Sequence, residues 1–176
     1  SDVYKRQRGR LYKISQPEAD EIMLTIKTQS GQYRLVLSAN ASLPLAYLTD
    51  DNKPSPATAP NFCILLRKHL NNGRIISITQ PKFERVIDIE AEHLNELGDL
   101  CRKHIIAEFM GKHSNIILCD DNNTILDSIK HISAQTSSVR EVLPGRPYFI
   151  PNTSDKINPL EADRKHFDET VFTKPV

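Results

Sequence analysis

Residues 111–114, Gly-Lys-His-Ser, sit between the apolar runs "IIAEFM" and "NIILCD". A Gly-Lys pair followed by a hydroxyl residue resembles the end of the phosphate-cradling loop G-x-x-x-x-G-K-[ST], so nucleotide binding is the first chemistry to test. That loop needs a glycine five residues before Gly111 and a helix after the hydroxyl. Position 106 is Ile, His113 stands where the hydroxyl should follow the lysine, and the residues beyond read as a strand. The nucleotide-loop geometry is therefore excluded. What remains is a tight turn with a basic tip, Gly111 permitting the bend.

Catalytic constellations fare little better. Ser114 lies beside His113, but triad members meet in space, so adjacency assigns neither a role. Asp88, Glu90 and Glu92 recur with period two and share one face of a strand, read most simply as a solvated polar face. Glu84-Arg85 opens a strand just after Pro81-Lys82. A carboxylate and a guanidinium there either form a surface pair or read nucleic acid, Arg on phosphate or a base edge and Glu on an amino group. Cys101-x-x-His104 is half of a zinc site, yet in a strand two residues three apart point to opposite faces. No metal or cofactor is expected. Cys63, Cys101 and Cys119 are odd in number and dispersed through apolar stretches, where free cysteine behaves as a small hydrophobe.

The charge pattern says more than its sum. The formal net charge is +1 over 176 residues, so bulk charge does not announce a polyanionic partner. Five of the six histidines nevertheless follow a lysine, as Lys68-His69, Lys103-His104, Lys112-His113, Lys130-His131 and Lys165-His166, and three of these are Arg-Lys-His triplets. Singly such pairs are solvated faces. Together they make a basic face that would bind phosphate.

The elements that must position these residues follow from periodicity. Segments 10–15, 21–28, 32–40 and 45–49 are short and rich in β-branched and aromatic residues, with Ser30-Gly31 as a hairpin turn. The Pro-rich stretch 50–60 reads as a loop. Phe62, Leu65, Leu66, His69 and Leu70 recur at helical spacing, Pro60 suits the helix start, and Asn72-Gly73 suits its end. Strands resume at 74–80, 83–92, 102–110, 115–120 and 124–132; 133–150 reads as loop. At 39% apolar and 26% charged the chain is expected to be soluble. No apolar run reaches the ~18 residues of a membrane span, and no secretory signal opens it. The expected class is α+β and β-rich, an antiparallel β-sandwich or curled sheet with one main helix. The residues alone favour binding over catalysis.

Four long strings carry a resemblance: "APNFCILLRKHLNNGRI" (59–75), "ITQPKFERVI" (78–87), "IIAEFMGKHSNIILCDDNNTILDSIKHI" (105–132) and "SSVREVLPGRPY" (137–148). They resemble the N-terminal domain of the NFACT family of ribosome-associated quality-control factors, over roughly residues 9–160. Many bacterial members of that family are labelled fibronectin-binding proteins. The resemblance implies an adaptor that binds large ribosomal subunits still holding peptidyl-tRNA. It would recruit a charged tRNA, alanyl-tRNA in bacteria, and promote mRNA-independent extension of the stalled chain. The ribosome would perform the peptidyl transfer, so the factor would be a cytoplasmic non-enzyme. It also implies a fold similar to the N-terminal β-sandwich of formamidopyrimidine-DNA glycosylases.

Residue by residue, the family's Asp-Arg pair, implicated in tRNA engagement, falls on Glu84-Arg85, the acid here one methylene longer. Its Gly-Arg-His-Ser-Asn falls on Gly111, Lys112, His113, Ser114 and Asn115, where lysine keeps the charge and loses the bidentate fork. Its Asp-Ser-Ile-Lys-His falls on 127–131, including Lys130 and His131, and its following Arg and Leu-Pro-Gly fall on Arg140 and 143–145. With Arg67 and Lys68 of the first basic triplet, these make the expected RNA-facing set. The family begins with a helix that "SDVYKRQ" does not resemble, so residues 1–8 read as foreign or truncated. Residues 151–176 read as a linker into an unfinished element. Two alternatives stand beside the adaptor: a fibronectin-binding adhesin, and a glycosylase-like DNA enzyme. The second is disfavoured because neither the catalytic N-terminal proline nor its neighbouring Glu begins this chain.

Overall fold

The computed structural model describes residues 9–51, 53–80, 85–135 and 140–149. The alternating segments fold as strands β1 (Arg10–Glu18), β2 (Glu21–Thr28), β3 (Gly31–Ser38), β4 (Leu45–Thr49), β5 (Arg74–Thr79), β6 (Val86–Leu94), β7 (Leu100–Glu108), β8 (Asn115–Asp120) and β9 (Ile125–Ser128). One α-helix, α1 (Asn61–Leu70), lies between β4 and β5. The strand expected over 124–132 is shorter because Asn115 captures the chain beyond it. Its Nδ2 donates to the Lys130 carbonyl at 2.9 Å and its Oδ1 accepts from the Lys130 amide at 3.0 Å.

All the strands belong to one antiparallel sheet in the order β4-β3-β2-β1-β5-β6-β7-β8-β9. Of the two expected architectures, sandwich and curled sheet, the continuous order selects the single sheet. The halves join where β1 meets β5: Arg10 pairs with Arg74, the Leu11 amide donates to the Gly73 carbonyl at 2.7 Å and the Ile75 amide to the Gly9 carbonyl at 2.8 Å. One core draws side chains from both halves, among them Leu11, Ile22, Leu24 and Leu37 on one side and Ile75, Ile89, Ile105 and Leu118 on the other. Helix α1 buries Phe62, Cys63, Leu66 and Leu70 into that core. Each fully buried leucine contributes about 1.5–3 kcal/mol. Leu65 and His69, expected on the same stripe, are half-buried at its margin.

The opposite face of β6–β9 carries a second cluster, Val86, Ile106, Ile117, Cys119 and Ile125, joined by Val142 and covered by Tyr148. The loop expected at 133–150 is thus a packed cover over its residues 140–149, held by bridges between Thr124 and Pro147 and between Ile132 and Val142. The cysteines are free. Burial pushes the Cys119 thiol up to about 12, which leaves it an inert core residue. Among the described residues no helix is long and apolar enough to cross a membrane.

Candidate nucleic-acid interface

Gly111–His113 form one 3-10 turn between β7 and β8, and Gly111 takes φ +58°, a left-handed conformation that favours glycine. Ser114 closes the turn from within. Its Oγ accepts from the Met110 amide at 2.8 Å and donates to the Gly111 carbonyl at 2.7 Å, and the residue is 1% exposed. Lys112 and His113, by contrast, are exposed. Arg85 is exposed beside them: its carbonyl accepts the Phe109 amide at 2.8 Å, so it borders the strand end that leads into the turn. Arg85, Lys112 and His113 therefore collect at one end of β6–β8. Glu84 lies outside the described residues.

Beneath this basic end sits a carboxylate that sequence reading passed over. Glu108 is 0% exposed, the last residue of β7, opposite Val86 on one side and Asn115 on the other. Its Oε1 forms a short ion pair with Arg140 Nη2, and its Oε2 accepts from the Tyr148 hydroxyl at 2.8 Å. Arg140 Nη1 also donates to the Phe149 carbonyl at 2.6 Å. Burial, then the Glu108 charge, pushes the Tyr148 hydroxyl pKa well up, so the hydroxyl stays a donor. A buried charge is tolerated only when paired and hydrogen-bonded, and this triad meets that condition. Arg140, nominated as an RNA contact, is thereby placed as a fastener of the 140–149 cover. A lone acid inside the apolar run "IIAEFM" was the signal that could have marked Glu108.

Asn115 is 2% exposed and, through its two bonds to Lys130, is also a fastener. The Lys130 ammonium donates to the Ala39 carbonyl at 2.6 Å. His131 is exposed and pairs with Asp127 at 2.6 Å. The end of the sheet is thus layered: Glu108, Ser114, Asn115, Lys130 and Arg140 hold the frame, while Arg85, Lys112, His113 and His131 meet solvent.

A chain with this frame has relatives. The family model for NFACT N-terminal and middle domains matches residues 5–175. The chain belongs to the NFACT family. It is 40% identical over 155 residues to the Rqc2 homolog RqcH of Bacillus subtilis, covering 88% of this chain and 27% of that protein. It is 37% identical over 162 residues to the Rqc2 homolog RqcH of Streptococcus pneumoniae, covering 91% of this chain and 29% of that protein. The N-terminal structure of the fibronectin/fibrinogen-binding protein from Streptococcus suis superposes with a TM-score of 0.83 at 34% identity, covering 96% of this chain and 64% of that one. The NFACT chain therefore spans little more than a quarter of the curated relatives it matches.

Elsewhere in this NFACT domain the remaining basic residues separate from the first group. Arg67 Nε donates to the Ile14 carbonyl at 2.8 Å and ties α1 to β1, while Lys68 is exposed. Both lie in the last turn of α1, toward the His93 end of β6. That end is roughly 26 Å from Arg85 at the ~3.3 Å rise of a strand. The 102–104 triplet is divided by the pleat. Arg102 pairs with Glu90 at 3.3 Å and His104 with Asp88 at 2.9 Å, whereas Lys103 turns to the helix-bearing face. Arg74 approaches Glu92 at 4.0 Å. The acidic face expected to be merely solvated is a cross-strand ladder of ion pairs. The Asp88 hydrogen bond holds the His104 pKa above its ordinary value.

Proposed function

We propose that this NFACT domain is the RNA-binding module of a ribosome-associated quality-control factor, meeting tRNA through Arg85, Lys112, His113 and His131. The kinship with RqcH carries the reading, and the exposed cations at one sheet end supply the chemistry for phosphate. The family resemblance pairs Glu84 with Arg85 in that role. Ser114, Asn115, Lys130 and Arg140 act on RNA indirectly, by positioning that end, while Arg67 fastens α1 to β1. The full factor, in this reading, is a cytoplasmic adaptor without chemistry of its own. It engages the large ribosomal subunit holding peptidyl-tRNA, recruits alanyl-tRNA and promotes C-terminal tailing. The fold kinship with glycosylase N-terminal domains belongs to the same proposal and rests on the sequence resemblance.

The test is a titration of labelled tRNA with the chain at rising KCl. Binding should fall linearly with log salt, and Lys112→Ala should reduce the slope by about 1 with folding unchanged. A flat salt response, or tRNA binding indifferent to both Arg85→Ala and Lys112→Ala, overturns the assignment. The name of the Streptococcus suis relative favours a second reading, fibronectin binding. The sheet edge β4 could accept an extended peptide as an added strand. Saturable capture of fibronectin, lost on substitutions in β4 and untouched by Lys112→Ala, would select it.

A further inference from the structure

At the end of β6–β7 away from the turn, three elements bring cationic and imidazole groups together. His69 of α1 and His93 of β6 stand edge to face with ring centroids 6.2 Å apart. Lys103 of β7 reaches His93 Nε2 at 3.4 Å, and His93 Nδ1 lies 3.3 Å from the Leu94 carbonyl. Since an ammonium has no acceptor and a carbonyl no donor, these contacts define one tautomer: Nδ1–H donates to Leu94, and Nε2 accepts from Lys103. Lys68 stands exposed on the preceding helical position.

We propose that Lys68, His69, His93 and Lys103 form a second phosphate site, which takes a phosphodiester of a bound RNA strand. The source of the phosphate rests on the RNA-binding reading above.

The arrangement is cationic without an internal counter-charge. Burial, then Lys103, His93 and Lys68, lowers the His69 pKa; burial, then Lys103, lowers that of His93. The neighbouring acids are engaged elsewhere. Glu92 lies on the other face of β6 toward Arg74. Asp120, opposite Lys103 in β8, accepts from the amides of Asn122 and Thr124, each at 2.9 Å. Cys101, on the same face of β7, accepts from Asn95 Nδ2 at 3.4 Å. Arg67 is turned to the Ile14 carbonyl.

A phosphate entering the cluster would supply the missing negative charge. Lys103 Nζ would turn from His93 to a phosphate oxygen, and His93 Nε2, its acceptor role vacated, would take a proton from solvent and donate to the same group. His69 would follow, because the phosphate charge offsets the repulsion of Lys103, Lys68 and the protonated His93. Binding at this site is therefore coupled to proton uptake and strengthens as pH falls. The spacing from Arg85 is too long for one phosphodiester, so the two sites would hold separate stretches of one RNA.

The test is NMR of the imidazole carbon-bound protons of His69 and His93 during pH titration of the intact chain, alone, with tRNA, and with inorganic phosphate. Expected results are upward shifts of both titration midpoints on adding tRNA. Lys103→Ala should weaken tRNA binding about tenfold, as loss of a charged hydrogen bond does. His93→Gln, which keeps a neutral polar group, should reduce the pH dependence of that binding. If tRNA binds in a Lys112-dependent manner while both midpoints stay put, the second site is overturned and the first reading survives. If tRNA does not bind at all, the first reading fails and phosphate decides alone: shifted midpoints uphold the site, unmoved ones overturn it.

Discussion

Lys130 Nζ donates to the Ala39 carbonyl at 2.6 Å, across 91 residues of sequence. Lys130 follows β9, the last strand of the sheet, and Ala39 follows β3, next to the other edge. Contact between them requires the sheet to curl until its ends approach, which is also how one core receives side chains from both halves. Replacing Lys130 by Met keeps the stem and deletes the donor. The expected loss is about 1–2 kcal/mol, since a charged hydrogen bond goes while its partially buried carbonyl stays. Urea unfolding measures it; a loss under about 0.5 kcal/mol, the range of indifferent surface changes, would show that the link does not hold the curl.

The Glu108 carboxylate predicts a larger effect. Arg140→Ala leaves a fully buried charge with the Tyr148 hydroxyl as its remaining described partner, a change of the kind that costs about 3–5 kcal/mol. Adding Glu108→Gln to that variant should recover part of the loss, because the charge is then gone. If the double variant is less stable than wild type by the full sum of the two single effects, the pair is not coupled.

The Asp88–His104 pair gives stability a pH signature. The His104 pKa is raised in the folded chain above an unfolded value near ~6.5. Its contribution is then fully present below that unfolded value and is lost as pH rises through the folded one. Asp88→Asn should destabilise the domain by up to about 1 kcal/mol at pH 6, and by progressively less toward pH 9. His69 and His93, with lowered values, carry the opposite sign: they favour the fold at higher pH, and that contribution is lost as pH falls through their folded values. Comparing wild type with Asp88→Asn at each pH cancels them. A deficit that grows with pH would refute the assignment.

Two glycines should respond differently to alanine. At Gly73 a Cβ would meet the Leu70 carbonyl oxygen at 2.8 Å and that of Glu92 at 3.2 Å, both backbone atoms that cannot turn aside. Gly73→Ala is expected to cost up to about 3 kcal/mol through displaced backbone. Around Gly111 the space is open, and the cost is the left-handed φ alone, about 1 kcal/mol. Equal losses in thermal melts would contradict this difference.

Local pattern accounts for what could be read without coordinates. β2, β4 and β8 begin and end where alternation and turn residues place them, and α1 follows the spacing of its apolar side chains. The Gly111 turn followed from a glycine between two apolar runs. The family was legible too, because its strings are long and ordered along the chain. These features depend on residues within a few positions of one another, so the order of amino acids suffices.

Which basic residues face solvent and which fasten the frame was settled only by contacts distant in sequence. Arg140 is held by Glu108, Lys130 by Ala39, and Arg67 by Ile14, and no spacing rule links those partners. The pleat divides Arg102, Lys103 and His104 between two faces, and the register then gives each a different neighbour. A run of charge in sequence is therefore not a patch in space. Sequence alone determined the strands, the helix, the turn and the family. Tertiary structure decided which charges are buried and paired, because a buried charge needs a partner that the chain can bring only by folding.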